Sequence, residues 1–150
     1  MTDIHLAIRA ISIVNILRNS ISTDQANEFI RIMESKDTLT TLCGFSGNET
    51  ELNLSDQGLT AGCAVLVANE IKNNGALEKL LMSGNKIKGA EAGKALGEAL
   101  AANTVLKELD LSKQGEYRDE KLNAAFAKEF AVGLGANGAL VKFNISSNGL

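Results

Sequence analysis

The feature that most constrains this chain is a short apolar pattern that returns four times in register. It runs Glu49-Thr50-Glu51-Leu52-Asn53-Leu54-Ser55-Asp56-Gln57-Gly58-Leu59, then Leu77-Glu78-Lys79-Leu80-Leu81-Met82-Ser83-Gly84-Asn85-Lys86-Ile87. It returns as Leu106-Lys107-Glu108-Leu109-Asp110-Leu111-Ser112-Lys113-Gln114 and as Leu140-Val141-Lys142-Phe143-Asn144-Ile145-Ser146-Ser147-Asn148-Gly149-Leu150. The copies start at 49, 77, 106 and 140, so the spacings are 28, 29 and 34 residues. Each reads L-x-x-L-x-L-x-x-N/Q-x-L, with substitutions at the edges. Alternating apolar residues point one way only in a strand, and a fixed period of this length marks a repeat architecture.

Helical stretches separate the motifs. Ser22-Thr23-Asp24-Gln25 is a capping box that opens a helix through about Ser35, with Ala26, Phe29, Ile30 and Met33 on one face. Residues 61–73, 90–102 and 119–134 carry apolar residues at helical spacing, among them Val65 and Val67, Leu96 and Leu100, and Phe126 and Phe130. Each unit is therefore one strand, one turn and one helix. A single unit cannot bury its strand row and its helix face, but stacked neighbours bury both.

Upstream, Ile11-Ser12-Ile13-Val14-Asn15-Ile16-Leu17-Arg18-Asn19-Ser20-Ile21 also fits the template. Its β-branched run favours a strand, while residues 3–18 also read as one amphipathic helix with His5, Arg9, Ser12, Asn15 and Asn19 as the polar stripe. Leu39-Thr40-Thr41-Leu42 begins a further copy that breaks at Cys43-Gly44-Phe45, as an irregular repeat with an inserted turn at Ser46-Gly47-Asn48 would.

The four copies resemble the leucine-rich-repeat family, specifically its long ribonuclease-inhibitor-like repeats, over residues 49–150. The resemblance implies an α/β fold: a right-handed leucine-rich-repeat solenoid, or horseshoe segment, with a parallel sheet on the concave side and helices on the convex side. It implies one domain over 1–150, in which 1–48 is an irregular N-terminal repeat or helical cap and 49–150 are regular repeats. In that family the Asn or Gln column, here Asn19, Gln57, Asn85, Gln114 and Asn148, satisfies backbone groups of the turn. The family commonly binds protein partners on the concave sheet.

The exposed third position of the motif then reads Glu51, Lys79, Glu108, Lys142, an alternation of charge across strands about 4.8 Å apart. The fifth reads Asn53, Leu81, Asp110, Asn144, and the seventh Ser55, Ser83, Ser112, Ser146. These third and fifth rows are the expected partner-binding face, although it holds no aromatic or Arg of the kind that anchors interfaces. The lengthened third unit offers a second candidate, Tyr117 and Arg118, on the insertion 113–121.

Other chemistry is poorly supplied. The formal charge of -3 and a pI near 5.2 argue against a nucleic-acid partner, which needs a basic face. Cys43 and Cys63 fit neither a disulfide framework nor a metal spacing and read as buried thiols. His5 is the single histidine. Gly89–Gly97 fails as a phosphate loop because Ala95 follows Lys94 and position 88 is Lys, so its small residues are read as room for close helix packing. The apolar N-terminus, broken by Arg9, Asn15 and Arg18, is a poor signal peptide and too polar to span a bilayer. The Asn-x-Ser/Thr sequons at Asn48, Asn53 and Asn144 are not taken as a sign of secretion.

The expectation is a cytoplasmic, non-enzymatic protein-interaction scaffold, with no cofactor, metal, nucleic-acid or membrane partner. Two alternatives stand beside it: a structural module that stacks end to end as a homo-oligomer, and an accessory that regulates a GTPase. The chain stops at Asn148-Gly149-Leu150, after the last motif and before its helix. A longer array, a last strand that tolerates exposure, and end-to-end stacking each account for that.

Overall fold

A computed structural model describes residues 11–115 and 122–150. The helices are α1 (Thr23–Glu34), α2 (Ala61–Ile71), α3 (Ala90–Ala102) and α4 (Ala124–Ala136); the strands are β1 (Glu51–Asn53), β2 (Lys79–Leu81), β3 (Glu108–Asp110) and β4 (Lys142–Asn144). The strands form one parallel sheet in the order β1-β2-β3-β4. Leu52, Leu80, Leu109 and Phe143 stand in register along its middle row. Leu80 and Leu109 are buried, while the residues on either side of them face outward. That is the alternation a half-buried strand requires.

The helices pack in sequence, α1 on α2, α2 on α3 and α3 on α4, and the core lies between this layer and the sheet. Leu59, Leu77, Met82, Ile87, Leu106 and Leu111, all motif leucines or their substitutes, are wholly buried there. The smallest residues set the closest helix approach. A Cβ on Gly133 would lie 1.8 Å from the Gly97 carbonyl oxygen, and one on Gly93 would lie 2.4 Å from that of Phe126. Beside this crossing Phe130 stacks on Phe126 and meets the edge of Phe143, with ring centroids 5.3 Å apart in both pairs.

The described residues thus form a small α/β unit of four helices and one four-stranded parallel sheet. This corrects the expected right-handed leucine-rich-repeat horseshoe segment. Strand pairing is confined to β1–β4, with three residues in each strand. The upstream copies do not extend the sheet. They meet each other through isolated bridges, Ile13 to Thr41 and Asn15 to Cys43, the second of them antiparallel. The molecule has a sheet side and a helix side in place of the expected concave and convex faces.

Hydrogen bonds from backbone N–H groups fix two local features. The described part of the upstream segment is extended rather than helical: Val14 N–H donates to the Thr41 carbonyl at 3.1 Å and Ile16 N–H to that of Leu42 at 2.9 Å. The fourth helix begins at Ala124 rather than near 119, because the Asn123 side chain caps it by accepting from Phe126 N–H at 2.9 Å. The capping box at Ser22 and Gln25 is present with both of its hydrogen bonds.

The turn at Ser46-Gly47-Asn48 is closed by Glu49, whose carboxylate accepts from Ser46 N–H at 3.0 Å and Gly47 N–H at 2.9 Å. Burial pushes this carboxyl up, but the Ser46 hydroxyl and the backbone N–H donors outweigh it, and the net shift is downward. A carboxyl lowered by folding stabilises above its unfolded pKa, and that contribution is lost as pH falls through the folded value. Glu49→Gln is therefore expected to flatten the acid limb of stability against pH, measured by urea unfolding at stepped pH, and to leave the alkaline limb unchanged.

Candidate functional site

The sheet side carries the outward residues of the four strands. Cα register places Glu51 beside Lys79, Lys79 beside Glu108, and Glu108 beside Lys142. Their side chains close into a ladder: Lys79 Nζ lies 3.7 Å from Glu51 and 3.9 Å from Glu108, and Lys142 Nζ lies 3.0 Å from Glu108. The row is nearly self-neutralised, so its field toward an approaching partner is weak. Exposed pairs of this kind contribute about 0–1 kcal/mol each and weaken in salt. Glu108→Gln, which touches two of the three contacts, is expected to cost about 1 kcal/mol or less. Chemical unfolding at low and high salt checks this; the difference between the two proteins shrinks as salt rises.

The second row, Asn53, Leu81, Asp110 and Asn144, is also in register. Three of its polar members are already engaged. Asn53, Asp110 and Asn144 each accept from the backbone N–H two residues on, at Ser55, Ser112 and Ser146, at 2.8–3.0 Å. Asn15 does the same for Leu17 at 3.0 Å. Asx turns of this kind follow β1, β3 and β4, whereas β2 ends at Leu81 without one. One oxygen at each of these positions is thus committed to the backbone, and Leu81, half-buried, is the row's apolar member. Ser83 and Ser112 add a hydroxyl pair at 3.1 Å. The structure therefore brings all eight sheet residues together on one face. Tyr117 and Arg118 lie outside the described residues, as does His5.

The turns behind the face are held by a buried amide column. Asn85 donates to the carbonyls of Leu54 and Met82 and accepts from Gln57 and Leu59 N–H. Gln114 donates to the carbonyls of Met82 and Ser112 and accepts from Ile87 N–H, and Asn148 links Leu111, Ile145 and Gln114 in the same way. Gln57 and Asn19 are less engaged, each donating one side-chain hydrogen bond to a carbonyl of its own turn.

A second amide column, on residues outside the motif, stands at the opposite end of the strands. Asn103 Nδ2 donates to the Ile71 and Asn74 carbonyls while its Oδ1 accepts from Val105 and Leu106 N–H. Asn137 repeats this with Leu100, Asn103, Ala139 and Leu140. The signal was there: Asn74-Gly75-Ala76-Leu77, Asn103-Thr104-Val105-Leu106 and Asn137-Gly138-Ala139-Leu140 place Asn three residues before each motif leucine.

Glu70, on α2, is a further residue that patterning missed. Its carboxylate accepts from the Thr41 hydroxyl and from Leu42 N–H. It lines a cavity of about 360 Å³ with Met33, Phe45, Asn69, Asn73 and Asn74. Burial pushes the Cys43 thiol far up, with the Glu70 carboxylate adding to the shift, so that thiol stays protonated at neutral pH and is a poor nucleophile. Among the described residues no group of three His, Cys, Asp or Glu is placed to hold a metal ion, and no helix is long and apolar enough to cross a membrane.

No protein-family model matches the chain, and no curated protein does. Among solved structures the chain is similar to "Leiomodin-1 Actin-Binding Site 2 (ABS2)", with a TM-score of 0.56 and 20% identity. The match covers 88% of this chain and 68% of that one. At that identity the likeness bears on the fold alone. It is a likeness to an actin-binding fragment and gives no support to the solenoid expected from the repeats.

Proposed function

We propose that the chain is a non-catalytic protein-binding module whose partner docks on the sheet side, over Glu51, Asn53, Lys79, Leu81, Glu108, Asp110, Lys142 and Asn144. The observation that carries this is the placement of those residues as two adjacent rows in register on one solvent-facing surface. With the charges paired along the row, affinity comes from apolar contact around Leu81 and from polar groups that re-pair with the partner, not from long-range attraction. Tyr117 and Arg118, the aromatic and guanidinium groups of a type absent from the two sheet rows, are a second candidate for partner contact on sequence grounds alone. The name of the structural neighbour makes actin the first partner to try.

Fluorescence anisotropy of the labelled protein against monomeric actin tests this directly. Saturable binding by the natural chain, lost in the double variant Lys79→Glu with Leu81→Asp, supports sheet-side docking. Equal binding by both proteins moves the site elsewhere.

A second reading is end-to-end self-association. Val132, Val141 and Leu150 on the last unit are 75%, 84% and 60% exposed, and Ile13 and Ile32 on the first described unit are 66% and 46% exposed. Apolar surface on the first and last described units suits contact between copies, and a contact of one on the other propagates. Sedimentation over a wide concentration range separates the readings. Mass that rises with concentration and falls back in Val141→Asp supports self-association, and a monomer throughout removes it.

A further inference from the structure

The sequence contains three Asn-Gly pairs in turns: Asn74-Gly75, Asn137-Gly138 and Asn148-Gly149. Such pairs are open to intramolecular attack, because the glycine nitrogen reaches the Asn Cγ unhindered by a side chain. We propose that Asn74 is a self-modifying site, converting through a succinimide to aspartate and isoaspartate in the folded protein, while Asn137 and Asn148 are held as amides by their neighbours.

The difference lies in the leaving nitrogen. Asn137 Nδ2 donates to the Leu100 carbonyl at 2.6 Å and the Asn103 carbonyl at 3.2 Å. Asn148 Nδ2 donates to Leu111 at 2.9 Å and Ile145 at 2.8 Å, and that side chain is 2% exposed. Loss of ammonia at either site would strand those carbonyls and set a new carboxylate against them. Asn74 Nδ2 donates to nothing among the described residues, and the side chain lines the cavity beside Glu70, so ammonia leaves freely. The rest of the site favours reaction. Ala76 and Leu77 N–H both donate to Asn74 Oδ1 at 2.8 Å, where negative charge develops in the tetrahedral intermediate. Gly75 is exposed and its N–H makes no hydrogen bond among the described residues, so it can lose its proton.

In the step itself the Gly75 nitrogen adds to Asn74 Cγ, the Cγ–Nδ2 bond breaks, and the proton lost from Gly75 leaves on ammonia. Water then adds to one of the two ring carbonyls and reopens the ring. One opening gives aspartate, which still accepts from Ala76 and Leu77. The other gives isoaspartate, with one more carbon in the main chain. That added length falls in the segment that leads Leu77 into β2 and whose Asn74 carbonyl accepts from Asn103 Nδ2. The site is thus a slow chemical clock placed on the joint between the second and third strand units.

The test is incubation of the folded full chain in mildly alkaline heavy-oxygen water, followed by peptide mapping that separates aspartate from isoaspartate. At each of the other two sites ammonia leaves only after two hydrogen bonds from the amide nitrogen are broken. Conversion at Asn74 is therefore expected to run about tenfold or more ahead of Asn137 and Asn148. In denaturant the three are expected to converge. Gly75→Ala, where a Cβ meets nothing within 4 Å, is expected to keep the fold and slow the reaction at Asn74. Equal rates at the three sites in the folded chain, or an Asn74 that stays amide while the denatured chain converts, would overturn the proposal.

Discussion

Gly133→Ala is expected to lower stability by about 3 kcal/mol or more, at the upper end of overpacking effects. The added methyl would sit 1.8 Å from the Gly97 carbonyl oxygen and 2.1 Å from its carbonyl carbon. Neither atom belongs to a flexible side chain, so relief requires α3 and α4 to separate along their whole contact. Separation in turn loosens Phe126 and Phe130, both buried under that crossing. Gly135, two residues on in the same helix, is the matched control, since a Cβ there meets nothing within 4 Å. Gly135→Ala is expected to gain up to about 1 kcal/mol from helix propensity alone. Urea midpoints for the two variants should therefore move in opposite directions. A loss at Gly133 no larger than 0–1 kcal/mol (about the scale of a surface change) would show that the helices do not meet as closely as described.

The other large effect is expected at Asn85. Asn85→Ala leaves the buried Leu59 N–H and Leu54 carbonyl and the half-buried Gln57 N–H without their side-chain partner, while the Met82 carbonyl keeps the Gln114 amide. Unsatisfied buried groups cost about 1–3 kcal/mol each. With partial rescue by entering water, a total near 3–5 kcal/mol is expected. Gln57 holds the same motif position in the preceding unit, but its amide makes one side-chain hydrogen bond of 3.5 Å, to Asn53. Gln57→Ala is expected to cost less than about 0.5 kcal/mol. Calorimetric melting of the two variants side by side reads the contrast. A small loss at Asn85 would mean that the amide column does not bind adjacent units together.

These two sites also show what could be read from the sequence. The strand rows were legible because period-two alternation forces Leu52 and Leu54, or Leu109 and Leu111, to one side, and the register of Glu51, Lys79, Glu108 and Lys142 follows from the motif. The motif amides were legible as a column, and the small residues of α3 as a close approach. The partner glycine on α4 was not, since only the packed helices show which residue Gly97 faces. Horseshoe architecture did not follow from the repeats. The upstream copies match the template in letters, but an inserted turn closed by Glu49 lets them pair with each other by isolated bridges instead of extending the sheet. The Asx role of Asn53, Asp110 and Asn144 was hidden for another reason: a residue that faces solvent in a strand can still spend its oxygen on its own backbone.

On the proposed function, a sheet face with compensated charges and committed side-chain oxygens would bind by shape and local re-pairing, with Leu81 and the adjacent Lys79 mattering more than net charge. Affinity capture from native cell extract, run in parallel on the natural chain and on the double variant Lys79→Glu with Leu81→Asp, tests the central claim most directly. With both proteins shown to be folded by their melting curves, the account predicts a specific retained protein on the natural chain that the variant does not retain. An identical retained set on both would contradict docking on the sheet side.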